Sequence, residues 1–248
     1  MPIAKRDITK WLFAATAFAA LGLAAGCQMR PGNADSALLR GWEPKNFKYE
    51  IQFPYNLKLA DRYSLDPATG IMDFIVFGSD KPHAPPPNTT NARTELRISD
   101  VYRTVPHMFE ADFCIKPGTH ACIMQVFGAA KRATTFMLDA QPDGTLSYYD
   151  TPDDNYKIIR KNMNNLWFNL KIIHIPVTPD GLGLVTVYID NQLAFQTPGH
   201  GGTQHYFKCG LYSRTDPDPN RKSEVLIRNI RYFAPIGAPA ETQPATMK

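Results

Sequence analysis

Twelve short stretches of this chain alternate apolar and polar residues with a period of two, and each is bounded by turn-forming residues. They cover residues 49–53, 71–77, 93–98, 109–115, 123–127, 134–138, 146–149, 167–175, 183–189, 192–196, 206–212 and 223–233. Period two is the signature of a strand with one face buried, because successive side chains leave opposite sides of the pleat. Brief helices are expected only at 56–63 and 156–164, and Asp190-Asn191 reads as a hairpin turn. Charged residues make up 20% of the 248 residues, with 21 prolines and 16 glycines. That composition suits many strands joined by turns rather than long solvated helices. So many strands in one chain of this size predict an all-β fold, a two-sheet β-jelly roll (a concanavalin-like sandwich) with an open groove on one outer face.

The beginning of the chain has a different character. Lys5, Arg6 and Lys10 precede an apolar run from Trp11 to Ala25, which ends in Ala24-Ala25-Gly26-Cys27. The run is shorter than the roughly 20 apolar residues of a membrane-spanning helix. It is read as an export signal over 1–26, with cleavage and lipid attachment at Cys27. Ala24 takes the place where the usual lipobox has leucine, which stands one position earlier at Leu23. Gln28 after the cysteine suits an outer-membrane lipoprotein facing the periplasm or the cell surface. Residues 27–43 are expected to be a lipid-anchored linker, 44–235 the jelly-roll domain and 236–248 a disordered tail rich in Ala, Pro and Thr.

Removing residues 1–26 lowers the formal net charge from +4 to +2, since Lys5, Arg6 and Lys10 leave together with Asp7. No electrostatic footprint for nucleic acid is left, and an anionic ligand must be held by a local cluster. Beyond Cys27 the chain has Cys114, Cys122 and Cys209. A five-residue hairpin loop over 116–120 would place Cys114 opposite Cys122 for a disulfide, and two buried free thiols is the alternative. No cysteine or histidine spacing suggests a metal, and no cofactor or oligomer is expected.

Three segments carry candidate chemistry. In Arg93-Thr94-Glu95-Leu96-Arg97-Ile98, Arg93, Glu95 and Arg97 share one strand face while Leu96 and Ile98 enter the core. Two guanidiniums flanking a carboxylate can brace each other and still meet a ligand carboxylate, although alone the pattern also fits a solvated strand. In Tyr206-Phe207-Lys208-Cys209-Gly210-Leu211-Tyr212, Lys208 stands between Tyr206 and Tyr212 on one face, where a cation can favour a phenolate. Gln125 and Phe127 share a face of a third strand.

Together these segments resemble the alginate lyases of polysaccharide lyase family 7, whose motifs are R(S/T)E(L/V)R, Q(I/V)H and YFKAGxYxQ. The corresponding stretches here are RTELR at 93–97, QVF at 125–127 and YFKCGLYSR at 206–214. The resemblance implies a jelly roll that cleaves a uronate polysaccharide (alginate, polymannuronate or a glucuronan-like polymer) by β-elimination. It implies that Arg93 and Gln125 neutralise the uronate carboxylate and Tyr212 acts as acid and base. Arg97, Lys208, Glu95, Tyr206 and Phe127 would line the substrate site. Phe127 stands where the family has histidine, leaving three outcomes, ranked in this order: Tyr212 acts as both base and acid, another histidine (His107, His200 or His205) enters the site, or catalysis is lost. Arg214 replaces the family's last glutamine. The rival readings are a noncatalytic uronate-binding jelly roll and a glycoside hydrolase, which needs two carboxylates roughly 5–10 Å apart.

Overall fold

The computed structural model describes residues 28–29, 37–130, 133–150, 155–178, 181, 183–214 and 218–239. The export signal, Cys27, much of the linker and most of the tail therefore lie outside the described residues. In chain order the strands are β1 (Gln28–Met29), β2 (Trp42–Pro44), β3 (Tyr49–Gln52), β4 (Tyr63–Asp66), β5 (Ile71–Phe77), β6 (Arg93–Ile98), β7 (His107–Ile115) and β8 (Ala121–Phe127). They continue as β9 (Thr134–Ala140), β10 (Leu146–Asp150), β11 (Asn155–Arg160), β12 (Leu166–Ile175), β13 (Leu184–Ile189), β14 (Gln192–Pro198), β15 (Tyr206–Ser213) and β16 (Lys222–Pro235). One sheet has the order β14-β13-β12-β7-β16-β5-β4, with β1 beside β12 and β2 beside β16; the other has the order β11-β10-β9-β8-β15-β6-β3. The expected two-sheet jelly roll is what forms.

The inward faces of both sheets supply one core. Phe74, Phe109, Phe113, Val225 and Ile227 come from the first sheet, and Leu96, Val126, Phe136, Phe207 and Leu211 from the second. Each fully buried side chain of this kind stabilises the fold by roughly 1.5–3 kcal/mol. Because Phe207, Cys209 and Leu211 all enter that core, period two sends Tyr206, Lys208 and Tyr212 to the opposite, outer face of the second sheet.

Two expectations about local structure fail. Residues 56–63 hold only the short 3-10 turn Leu59–Asp61, and 156–160 lie in strand β11, paired with β10. The alternation of Tyr156, Ile158 and Arg160 with Lys157 and Ile159 suits an edge strand better than a helix. The Cys114–Cys122 hairpin also does not form. β7 belongs to the first sheet and β8 to the second, so 116–120 crosses between sheets instead of turning a hairpin. Cys114 is disulfide-bonded, whereas Cys122 and Cys209 are buried free thiols. The same crossing separates Glu110 and Asp112 from Gln125, because they now occupy the outer face of the other sheet.

Gly210 fixes the local path of β15. Its φ is +125°, and a Cβ there would lie 2.6 Å from the Thr94 carbonyl oxygen and 2.9 Å from the Glu95 Cα. Here the pairing of β15 with β8 shifts register, so that Cys209 faces Met124 but Tyr212 faces Cys122. Gly210→Ala is expected to cost on the order of 3 kcal/mol, through backbone strain and a clash with rigid main chain. The midpoint of urea unfolding checks it.

Candidate active site

Three adjacent strands bring the three segments together. Lys208 is the register partner of both Arg97 on β6 and Gln125 on β8. Tyr206 pairs with Phe127 and Tyr212 with Arg93. All eight residues singled out in the sequence therefore lie on one outer face, in two layers.

The lower layer is a polar floor organised by Glu95, which is 1% exposed. Its Oε2 lies 3.2 Å from Lys208 Nζ and 3.7 Å from the Arg93 guanidinium. Its Oε1 accepts a short hydrogen bond from Gln125 Nε2. Lys208 Nζ also donates to Gln52 Oε1 at 2.9 Å. Gln125 and Lys208 are 4% and 3% exposed, so these groups brace the site from beneath. Burial pushes the Lys208 ammonium below its ordinary pKa, and Glu95 opposes that shift. A buried carboxylate surrounded by two cations and an amide is stable only as this complete set, since removing one member leaves another charge desolvated.

The upper layer is half-buried and meets solvent. The Arg93 guanidinium lies 4.6 Å over the Tyr212 ring, and the Arg97 guanidinium 4.4 Å over the Tyr206 ring. Tyr206 stacks on Phe127 with centroids 4.6 Å apart and planes 16° from parallel. The Tyr212 hydroxyl accepts a 3.3 Å hydrogen bond from the Asn91 backbone N–H. The Asn91 side chain donates to the Ser213 carbonyl at 2.9 Å, which fixes the loop that orients the phenol. The Tyr206 phenol is not held below its ordinary pKa, although Lys208 stands beside it in sequence. Burial raises that phenol, outweighing the pull of Arg97 in the other direction.

No imidazole from the three candidate histidines compensates for Phe127. His205 is fully buried on the core side, with Nδ1 3.3 Å from the Phe127 carbonyl oxygen and its ring 4.6 Å from His174. His107 stacks on Tyr232 in the same cluster. His200 Nε2 lies 3.2 Å from the hydroxyl of Tyr148, whose ring stacks on Phe136 in the core. His174 carries a consequence for stability. Burial, with His205 and His107 nearby, lowers its pKa from 6.5 to about 3. Between those pH values the unfolded chain binds a proton that the folded chain refuses, so His174 stabilises the fold above pH 6.5. That contribution is lost as pH falls toward 3, with a limiting slope of about 1.4 kcal/mol per pH unit. Unfolding midpoints between neutral and mildly acidic pH should fall more steeply for the native chain than for His174→Gln.

Sequence reading missed Asp139 and Asn91 at this face, and with Asp139 the partner of Arg214, because only strand pairing reveals them. Asp139 on β9 is opposite Cys122, and its two carboxylate oxygens each lie 2.6 Å from Arg214. The face thus has a second buried carboxylate, but Asp139 and Glu95 are both locked to cations. Such pairing does not suit the acid and base of a glycosidase.

The alginate lyase family profile matches residues 45–234. The chain belongs to the alginate lyase family. Among curated proteins, a citrate-binding protein of Hevea brasiliensis is 33% identical over 187 residues, spanning 75% of this chain and 73% of that protein. Among solved structures, the alginate lyase from Corynebacterium sp. superposes with a TM-score of 0.58 at 12% identity, covering 79% of this family member and 95% of that chain. A family 7 alginate lyase variant in complex with substrate (GGMG) gives a TM-score of 0.58 at 12% identity, covering 75% of this chain and 92% of that one. At such identities the structural matches establish the shared jelly roll.

Proposed function

We propose that this alginate lyase family member cleaves a uronate polysaccharide by β-elimination at the outer face of its second sheet. The observation that carries this reading is the pairing of Arg93 and Tyr212, a guanidinium and a phenol in contact, half-buried above a braced polar floor. Abstraction of the proton at C5 of a uronate sends charge onto its carboxylate. A guanidinium about 4 Å away is worth up to about 4 kcal/mol there at an effective dielectric of about 20. Arg93 fills that role, and Gln125 supports it with the amide N–H not given to Glu95. Tyr212 as phenolate takes the C5 proton; the C4–O bond breaks as the C4=C5 bond forms, and the phenol returns the proton to the leaving oxygen.

Phe127 narrows the substrate class. With none of the three candidate histidines taking the place of an imidazole at Phe127, Tyr212 serves as both base and acid, so the C5 proton and the C4 oxygen must lie on the same side of the sugar ring. Mannuronate-like and glucuronate-like residues meet that condition. The conjugated product absorbs at about 235 nm, which separates elimination from hydrolysis. Polymannuronate or glucuronan should give rising absorbance faster than polyguluronate; no rise with any uronate polymer would contradict the proposal.

A second reading, carboxylate binding without cleavage, is favoured by Phe127 and by the name of the Hevea relative. It predicts saturable binding of uronate oligomers or citrate with no absorbance change.

Export and membrane attachment belong to the same reading. The disulfide at Cys114 suits an oxidising compartment, and the apolar leader before Cys27 suits an outer-membrane lipoprotein. The Cys27 sulfur can hold a lipid thioether or a disulfide with Cys114, but not both. The mass of the Cys27 peptide from the mature protein decides between them.

A further inference from the structure

The outer face continues past Tyr212 across β8, β9, β10 and β11, and this part has no role in the chemistry above. Arg214 lies one residue beyond β15 and reaches back over the sheet. Its Nε and one terminal nitrogen bond the two oxygens of the fully buried Asp139. Its guanidinium carbon sits 4.1 Å over the Tyr149 ring. Tyr149 is the register partner of Tyr156 on the edge strand, with their rings 5.3 Å apart. The Tyr156 side is 37% exposed.

The order is thus buried carboxylate, guanidinium, tyrosine and exposed tyrosine, each immobilising the next. Charge in the Arg214–Asp139 pair is internally balanced, so its evident effect is on the ring it covers. Planar side chains on a sheet face offer apolar surface and hydroxyls to pyranose rings at little conformational cost. From β15, Tyr149 is three strand spacings away and Tyr156 four, about 14–19 Å, roughly the span of three or four linked sugars.

We propose that Tyr149 and Tyr156, clamped by Arg214 on Asp139, form a distal platform that holds the uronate polymer several sugars from the bond broken at Tyr212. The proposal rests on the reading of the Tyr212 face as the polymer site. Its occupant is the same chain of sugars, since the platform is continuous with that face on adjoining strands.

The test compares polymannuronate with its trisaccharide, which is too short to reach from Tyr212 to Tyr156. Tyr156→Ala should raise KM for the polymer about three- to tenfold and leave the trisaccharide kinetics unchanged. Arg214→Gln should reproduce the polymer effect more weakly. The dissociation constant of each polymer complex, measured calorimetrically in a Tyr212→Phe background, should move in parallel. Equal effects of Tyr156→Ala on both substrates, or none on either, would overturn the platform. Failure of the native protein to bind any uronate polymer would overturn the underlying site as well, which separates the two failures.

Discussion

Tyr212→Phe is expected to reduce the rate of unsaturated-product formation by about 10²–10⁴-fold, the usual contribution of a positioned proton-transfer group. Affinity for the polymer should change little. The substitution deletes one oxygen and keeps the ring under the Arg93 guanidinium, so the stacking that shapes the site survives. The only described hydrogen bond given up is the long one from the Asn91 N–H. A loss in kcat at nearly constant KM is the pattern of an interaction made in the transition state alone. Arg93→Ala should behave differently, raising KM as well as lowering kcat, because it also removes a cation that meets the ground-state carboxylate. Initial rates by ultraviolet absorbance and calorimetric binding of the uncut polymer provide both numbers.

The largest effect on stability is expected on the opposite side of the molecule. Glu110 on β7 and Lys171 on β12 are register partners on the outer face of the first sheet, 1% and 0% exposed. Their charges lie 3.0 Å apart. Glu110 Oε1 also accepts from Arg231 at 2.7 Å and from Asn169 at 2.9 Å. Glu110→Ala removes a carboxylate from beside the fully buried Lys171 ammonium, which keeps its hydrogen bonds to Asn169 and Asn191, and should cost about 3–5 kcal/mol. For a chain of this size that lowers the melting temperature by roughly 10 °C. Replacing both residues by methionine should cost much less than the sum of the single changes, since a buried ion pair can be exchanged for apolar packing with little loss. Thermal unfolding of the two single variants and the double variant closes the cycle.

These two regions also show what the sequence could and could not convey. Period two placed Arg93, Glu95 and Arg97 on one strand face and Phe207, Cys209 and Leu211 in the core, because alternation is a local property of the chain. The bounds of the twelve expected strands followed from the same property, whereas β1, β2, β4 and β11 were not foreseen. Which strands become neighbours is not local. The stretch 116–120 has the length and the Pro-Gly of a hairpin, yet it crosses between sheets, and that error produced the Cys114–Cys122 pairing. Arg214 was visible as a departure from the family motif, but its partner Asp139 lies 75 residues earlier and becomes identifiable only when β8 is known to separate β9 from β15. The distinction between floor and surface was also hidden: Gln125, Glu95 and Phe127 look equivalent in a strand pattern, whereas packing buries the first two and leaves Phe127 half-exposed.

The most direct test of the account is the chemistry of the ends produced when the purified protein acts on polymannuronate or glucuronan. Elimination at Tyr212 predicts that every new non-reducing end carries a C4=C5 double bond and that the fragments of each cut together gain no water, visible in their masses. Saturated non-reducing ends, with one water added per bond cut, or polymer that is bound but left uncut, would contradict it.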